Sequence, residues 1–405
     1  MLLKDLRVCL VSYEFPPYQG GEGSYTRDLM NSLKRQGVGV TLVSPDWSKQ
    51  YPKDHDKSVE SIIHVNPIML PGLKTTSFMI RANRKVRELV KDFDIVHYTN
   101  DYCGFSLSRA QLGTPVFATI HHTHALEFAS TAEFAKQKKG FFSSLRYPIS
   151  QKALARLERS TLEKADIVVA VSGFTAKNAI DLYPSLKERM RVVLNSVDER
   201  RFSPQADGSS FRSRLGLGQE PTVLYVGRFA RSKGVEYLVE AFQAVVKKIP
   251  DAKLVLVGSG TTETEKSLET LVLDLGLSSS IIRAGKVGDE DLPRVYASSD
   301  VLVLPSLVEG FGLVLLEAMS VGKPVISTSV GPTPELISDS EEGILVPRGD
   351  SNALATAILT VLEDKSLAKK MGEKGRQRVL KSFTFERWSE QMTQLYESQL
   401  MKRSS

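Results

Sequence analysis

Glu309 and Glu317 stand with seven residues between them in PSLVEGFGLVLLEAM over 305–319, directly after the apolar run 301–304. Gly310 and Gly312 permit a tight backbone approach, and the apolar spacing predicts a helix from about Gly312. The N–H groups of Gly310, Phe311, Gly312 and Leu313 at that helix start form an anion site suited to a diphosphate. A loop carboxylate at Glu309 can accept hydrogen bonds from sugar hydroxyls, and a helix carboxylate at Glu317 can hold a vicinal diol such as a ribose. The plainer reading makes them a loop charge and an ordinary helix carboxylate. As a glycosidase pair they are badly placed, because one loop and one helix residue do not naturally flank a single bond.

A second cluster follows the apolar run 221–226: Gly227 and Arg228, then Lys233 and Gly234. Two cations bracketing a short turn can hold a pyrophosphate and stabilise charge growing on it as it departs. Arg231, in the same turn, is as well placed to face solvent. Gly20 and Gly21, after the first apolar run, let backbone approach a ligand ahead of a helix start. His121 follows the run 115–120 and can hydrogen-bond a sugar hydroxyl or a phosphate. His121, His122 and His124 lack a carboxylate partner and His-x3-His spacing, so no metal site is expected. The Asp-x-Asp pairs at 54/56, 92/94 and 289/291 sit in a polar loop, at a strand start and at a helix start, and none reads as a metal–diphosphate clamp. No Gly-x-Gly-x-x-Gly dinucleotide fingerprint occurs; Gly258-Ser-Gly260 is followed by Glu263 at the third position.

These junctions need parallel strands to carry them. Strands are expected at 6–13, 38–44, 94–98, 115–120, 166–171 and 191–194, with helices such as 22–35 and 81–91 between them. After a turn-rich stretch, 195–220, the alternation restarts at 221–226, 252–257, 281–284, 300–304, 324–328 and 343–346. This is an α/β chain of two Rossmann-like domains. The expected division is 1–200, completed by a final helix at about 385–405, and 201–384. That helix carries Trp388, Met392, Leu395 and Tyr396 on one stripe, which must be buried.

The 405 residues are too many for one ordinary core. The composition, 41% hydrophobic and 25% charged, is globular. Two cysteines, Cys9 and Cys103, imply neither a disulfide framework nor a metal site. No apolar stretch reaches spanning length, and the start does not read as a signal peptide, so a cytoplasmic location is expected. A net charge of +6 permits attraction to phosphorylated ligands or anionic lipid without requiring nucleic acid, for which there is no motif. The segment 136–147 mixes Lys136, Lys138, Lys139 and Arg146 with Phe141, Phe142 and Tyr147. It suits a peripheral contact with an anionic membrane surface as well as it suits a solvated loop.

Taken together, Gly20-Gly21, Asp94 to His97, Thr119 to His121, Asn195 to Asp198, Gly227-Arg228 with Lys233-Gly234, and Glu309-x7-Glu317 resemble the retaining glycosyltransferases of family 4, over nearly the whole chain. The resemblance implies the GT-B fold, with two parallel sheets facing across a cleft. It also implies transfer of a hexose-type sugar from a UDP- or GDP-sugar donor, with retention of configuration and no required metal or cofactor. The acceptor it implies is a sugar, a lipid-linked molecule or a growing polysaccharide. His121 would lie beside the transferred sugar, Gly20 and Gly21 near the donor phosphates, and Gly227, Arg228 and Lys233 on the diphosphate. Glu309 would face the sugar and Glu317 the ribose. A nucleotide-sugar epimerase or phosphorylase on the same architecture, or a non-catalytic nucleotide-sugar-binding subunit, are the alternatives.

Overall fold

The computed structural model describes residues 6–15, 21–46, 62–70, 73–104, 112–123 and 146–404. Each apolar run expected as a strand is one: most are trimmed by a residue or more, the one at 343–346 has the expected bounds, the one at 281–284 extends to Gly285, and the one at 191–194 starts a residue earlier and ends at Val192. In the first half these are β1 (Arg7–Val11), β2 (Gly39–Ser44), β4 (Ile95–Tyr98), β5 (Val116–Ile120), β6 (Ile167–Ala170) and β7 (Met190–Val192). The second half has β8 (Thr222–Val226), β9 (Lys253–Val257), β10 (Ile281–Gly285), β11 (Val301–Leu304), β12 (Val325–Thr328) and β13 (Gly343–Val346). One strand was not expected: β3 (Ile62–His64), which pairs in parallel with β2 at the sheet edge.

The helices between them are α1 (Gly21–Arg35), α2 (Lys74–Leu89), α3 (Arg146–Lys164), α4 (Gly173–Leu182), α5 (Ser209–Arg214), α6 (Val235–Lys248) and α7 (Thr262–Asp274). They continue with α8 (Leu292–Ala297), α9 (Leu313–Ser320), α10 (Thr333–Leu336), α11 (Ser351–Glu363), α12 (Lys365–Ser382) and α13 (Phe385–Ser404). Helix α2 begins at Lys74, about two turns earlier than its expected start at 81.

The chain divides into two compact units. Unit 1 holds the described residues up to Asn195 together with Glu386 onward, and unit 2 holds Ser196–Phe385. Unit 1 has a sheet of order β3-β2-β1-β4-β5-β6-β7, and unit 2 one of order β10-β9-β8-β11-β12-β13. All pairings are parallel. Central strands such as β4, β5, β8 and β11 are buried on both faces, which is why they read as unbroken apolar runs.

In each sheet the order reverses once, between β1 and β4 and between β8 and β11. Ligands of such sheets bind at the carboxyl ends of the strands flanking the reversal. The loops that follow β1, β4, β8 and β11 are therefore the positions the topology singles out. Helix α13 belongs to unit 1 because its apolar stripe, Trp388, Met392 and Tyr396, is buried there. Where the chain enters and leaves unit 2, Val197 bridges Thr384 in parallel, and the Val197 N–H donates to the Phe383 carbonyl at 3.0 Å.

Candidate active site

In unit 2 the turn after β8 and the loop after β11 are stitched together. The Leu307 and Val308 N–H groups donate to the Ser232 carbonyl, at 2.8 and 3.1 Å. Gly234 makes the approach possible: it is left-handed (φ 60°), and a Cβ there would lie 2.2 Å from the Pro305 carbonyl oxygen. That close seam places Lys233 over the loop, where its Nζ donates to Glu309 Oε2 at 2.8 Å. The Ser306 hydroxyl donates to the same oxygen at 2.9 Å, and the Gly310 N–H to Oε1 at 3.2 Å. Ser306 is itself fixed, its carbonyl accepting from Thr328 Oγ1 at 2.5 Å.

The Glu309 side chain is 8% exposed and that of Lys233 21%. Burial pushes the Glu309 carboxyl up, but the Lys233 charge beside it and the bonds from Lys233, Ser306 and Gly310 outweigh burial. The net result lies below the ordinary glutamate range. Glu309 is thus an ionised carboxylate held in one orientation. Arg228 stands at the exposed corner of the preceding turn and makes no ion pair among the described residues.

Beyond Glu309 the chain turns into α9 through Gly312, left-handed at φ 95°, which caps the helix without a side-chain bond. The first N–H groups of α9 therefore have no partner within the helix. Phe311 beside them is 5% exposed and anchors the loop in the core. Glu317, one turn into α9, accepts a hydrogen bond from the buried Tyr296 hydroxyl of α8. Unit 2 thus brings Gly227, Arg228, Lys233, Glu309, Gly310, Gly312 and Glu317 to the β8/β11 reversal. Ser306 and Tyr296 are additions that sequence reasoning missed. Ser306 had a faint signal, three residues before Glu309; Tyr296 had none.

The pair at 289/291 reads from sequence as helix-capping charge; Asp291 is the N-cap residue of α8 but makes no side-chain capping bond, and Asp289 caps no helix. Asp289 pairs with Arg201 at 3.0 Å, and Asp291 with Arg294 at 2.9 Å and Arg214 at 3.6 Å.

In unit 1, Gly21 opens α1 and is exposed, whereas Gly20 and His124 lie outside the described residues. His121 follows β5, is 7% exposed, and its Nε2–H donates to the Thr99 carbonyl at 3.0 Å. Only a protonated Nε2 can make that bond, which leaves Nδ1 as the acceptor of a neutral ring. Burial pushes the His121 pKa down to about 4, against upward pulls from Asp101 and the Thr99 carbonyl. His121 therefore acts as a neutral imidazole near pH 7.

Its ring meets Tyr25 edge-on at 4.9 Å between centroids. Behind Tyr25 runs a buried chain of hydroxyls and imidazole. Tyr25 Oη meets Thr119 Oγ1 at 3.0 Å, Thr119 Oγ1 meets His97 Nε2 at 2.8 Å, and His97 Nδ1 meets Tyr396 Oη of α13 at 2.5 Å. Asn100, after β4, accepts from the Tyr13 N–H at 2.7 Å and donates to Glu22. Among the described residues no group of three or more His, Cys, Asp or Glu side chains is arranged to hold a metal.

The sequence relations agree with this layout. A family model described as Glycosyltransferase Family 4 matches residues 19–201, and one described as Glycosyl transferases group 1 matches 209–378. The N-acetyl-alpha-D-glucosaminyl L-malate synthase of Bacillus anthracis is 33% identical over 68% of this chain and 74% of its own length. The GDP-mannose-dependent alpha-(1-6)-phosphatidylinositol monomannoside mannosyltransferase of Mycolicibacterium smegmatis is 28% identical over 91% of this chain and 92% of its own. Sucrose-phosphate synthase from Thermosynechococcus elongatus superposes with a TM-score of 0.81 at 28% identity, covering 98% of this chain and all of that one. With two parallel-sheet units, a carboxylate–lysine pair at the β8/β11 reversal and relatives of this kind along its length, the chain belongs to glycosyltransferase family 4 and is a glycosyltransferase of the GT-B fold.

Proposed function

We propose that the protein transfers a hexose-type sugar from a UDP- or GDP-sugar to an acceptor hydroxyl, with retention of anomeric configuration. The observation that carries this reading is the buried Lys233–Glu309 pair set beside the uncapped start of α9. Arg228, Lys233 and the amides of Gly310 to Leu313 supply positive potential for the departing nucleoside diphosphate. As the bond from the anomeric carbon to the phosphate oxygen breaks, that oxygen takes the acceptor hydroxyl's proton, and the acceptor oxygen bonds the carbon on the same face.

Glu309, ionised and oriented, accepts hydrogen bonds from sugar hydroxyls, and Glu317, steadied by Tyr296, accepts from the ribose. The neutral His121 of unit 1 is assigned to the transferred sugar, and Gly21 with its neighbour Gly20 to the donor phosphates. Arg228 and Lys233 carry the cationic role, so the reading requires no metal.

The relatives named above are named for an L-malate glycoside, a phosphatidylinositol monomannoside and sucrose phosphate, which supports small and lipid-linked acceptors alike. Among the described residues no helix is long and apolar enough to cross a membrane. We place the enzyme in the cytoplasm, where it can meet a membrane peripherally; the 136–147 segment first considered for that contact lies outside the residues whose side chains are described.

Replacement of Lys233 or Glu309 by Ala tests the assignment. Transfer from UDP- and GDP-sugars should fall by at least about a hundredfold, the loss seen when one transition-state charge partner is removed. Folded variants with near-normal turnover would sink these roles.

A further inference from the structure

Among the described residues ten large apolar side chains are exposed, and five of them fall within thirteen residues: Ile68, Met69, Leu70, Leu73 and Ile80. They form one surface. The Ile68 N–H donates to Ser77 Oγ of α2 at 2.8 Å, and Arg81 reaches the Asn66 carbonyl at 2.6 Å, so the loop 66–70 lies along the first turns of that helix. The outward side of α2 and the turn after it continues the surface. Leu73, Thr76, Ile80, Arg84, Arg87 and Lys91 are all exposed and recur every three or four residues, which makes a single stripe. Its first half carries Leu73 and Ile80 with Thr76 between them, and its second half is cationic.

The charge is equally concentrated. Residues 66–91 contain six Lys and Arg against one acid, Glu88, and so supply five of the chain's six net positive charges. Glu88 is shared by Arg84 and Lys85, both at 3.3 Å. The other residues together are close to neutral. On the stripe itself the cations are Arg84, Arg87 and Lys91, followed directly by the exposed Asp92, and they adjoin the exposed aliphatic side chains at 68–80.

We infer that this face of α2 docks on an anionic lipid bilayer. An aliphatic tip flanked by a cationic stripe, on a helix about 24 Å long, is the pattern that lies in a membrane interface. Its apolar side chains enter the headgroup boundary while Lys and Arg meet lipid phosphates. A second copy of the chain fits less well, because a two-fold contact would set the same cations against themselves. Nucleic acid would leave the aliphatic side chains without a partner. The inference is independent of the chemistry assigned to Lys233 and Glu309.

Co-sedimentation of the full chain with vesicles tests it, using phosphatidylcholine alone and phosphatidylcholine mixed with phosphatidylglycerol. Binding is expected only to the mixed vesicles and should weaken as salt rises. The double substitution Arg84→Gln/Lys91→Gln should lower the affinity about twenty-five-fold, at about fivefold per cation near a charged surface. Leu73→Ser/Ile80→Ser should abolish retention at high salt. All four positions are exposed, and circular dichroism will show the variants folded. The inference is overturned if the wild type binds neither vesicle or binds both equally. It is also overturned if both variants bind like the wild type while a Lys136/Lys138/Lys139 triple Ala variant does not. A dimer in sedimentation velocity that the Leu73/Ile80 variant dissolves, with no lipid binding, would overturn it in favour of self-association.

Discussion

Replacing Lys233 by Met removes the cation from a carboxylate that is only 8% exposed. Losing one partner of a buried pair costs about 3–5 kcal/mol. Water still reaches this site through Lys233, which is 21% exposed, and the Ser306 and Gly310 bonds to Glu309 survive, so about 2–3 kcal/mol is expected. Glu309→Gln should cost less, about 1–2 kcal/mol, because the stranded lysine is the more solvated partner. The double variant leaves two neutral groups and should recover part of the loss, a coupling of about 1–2 kcal/mol.

The effect has a pH signature. In the folded wild type Glu309 sits below the ordinary glutamate range, so the pair stabilises fully above that range and loses its contribution as pH falls through the lower folded value. Without Lys233, burial dominates and raises the carboxyl, which takes up a proton on acidification. The gap between wild type and Lys233→Met should therefore narrow as pH falls toward the ordinary glutamate range. Scanning calorimetry of the full chain reads this as a drop of about 5–10 °C in the unit 2 transition near neutral pH. Strictly additive single variants, or a loss that does not change with pH, would refute the claim that the two charges act as one device.

Four further outcomes follow, one in unit 2 and three in unit 1. Gly234→Ala places a Cβ 2.2 Å from the Pro305 oxygen in a left-handed residue, so it should destabilise unit 2 by more than about 3 kcal/mol and abolish donor binding, as measured by calorimetry and titration with UDP. Tyr396→Phe deletes the bond to His97 but keeps the ring, and should lower unit 1 stability by about 1–2 kcal/mol in urea denaturation; an unchanged midpoint would contradict a role for α13 in holding that core. His97 and His121 are pushed down to about 3 and about 4 by burial. The unfolded chain then binds more protons than the folded one between about pH 6.5 and 4, so unit 1 should lose stability on acidification through that window, by up to about 1.4 kcal/mol per pH unit for each histidine. Turnover should show no limb near pH 6.5 that His121→Asn removes.

The strands were legible because both faces of the central ones are buried, so Val301 to Leu304 or Val223 to Val226 read as unbroken apolar runs. Strand β3 escaped notice because three residues, Ile62 to His64, give no periodicity and exist as a strand only by pairing with β2. The site was legible where glycine and charge punctuate a strand end, as at Gly234 and at Gly310 to Gly312. What pairs with what was not: Lys233 and Glu309 are 76 residues apart, and only the order β8-β11 makes them neighbours. The same holds for Tyr296 with Glu317 and for His97 with Tyr396, 299 residues apart. His97 could be placed at the end of its strand from sequence. Its burial between Thr119 and Tyr396 became visible only once α13 was seen to pack in unit 1.

The central claim is that a nucleoside diphosphate leaves from the site around Lys233 and Glu309 while the sugar keeps its configuration. The anomeric configuration of the first-formed product, followed by proton NMR during turnover of α-linked UDP- and GDP-sugars, tests this most directly. The account predicts an α-linked product with equimolar nucleoside diphosphate, and neither signal from the Lys233→Ala or Glu309→Ala protein. A β-linked product, or an epimerised nucleotide-sugar with no diphosphate released, would contradict it.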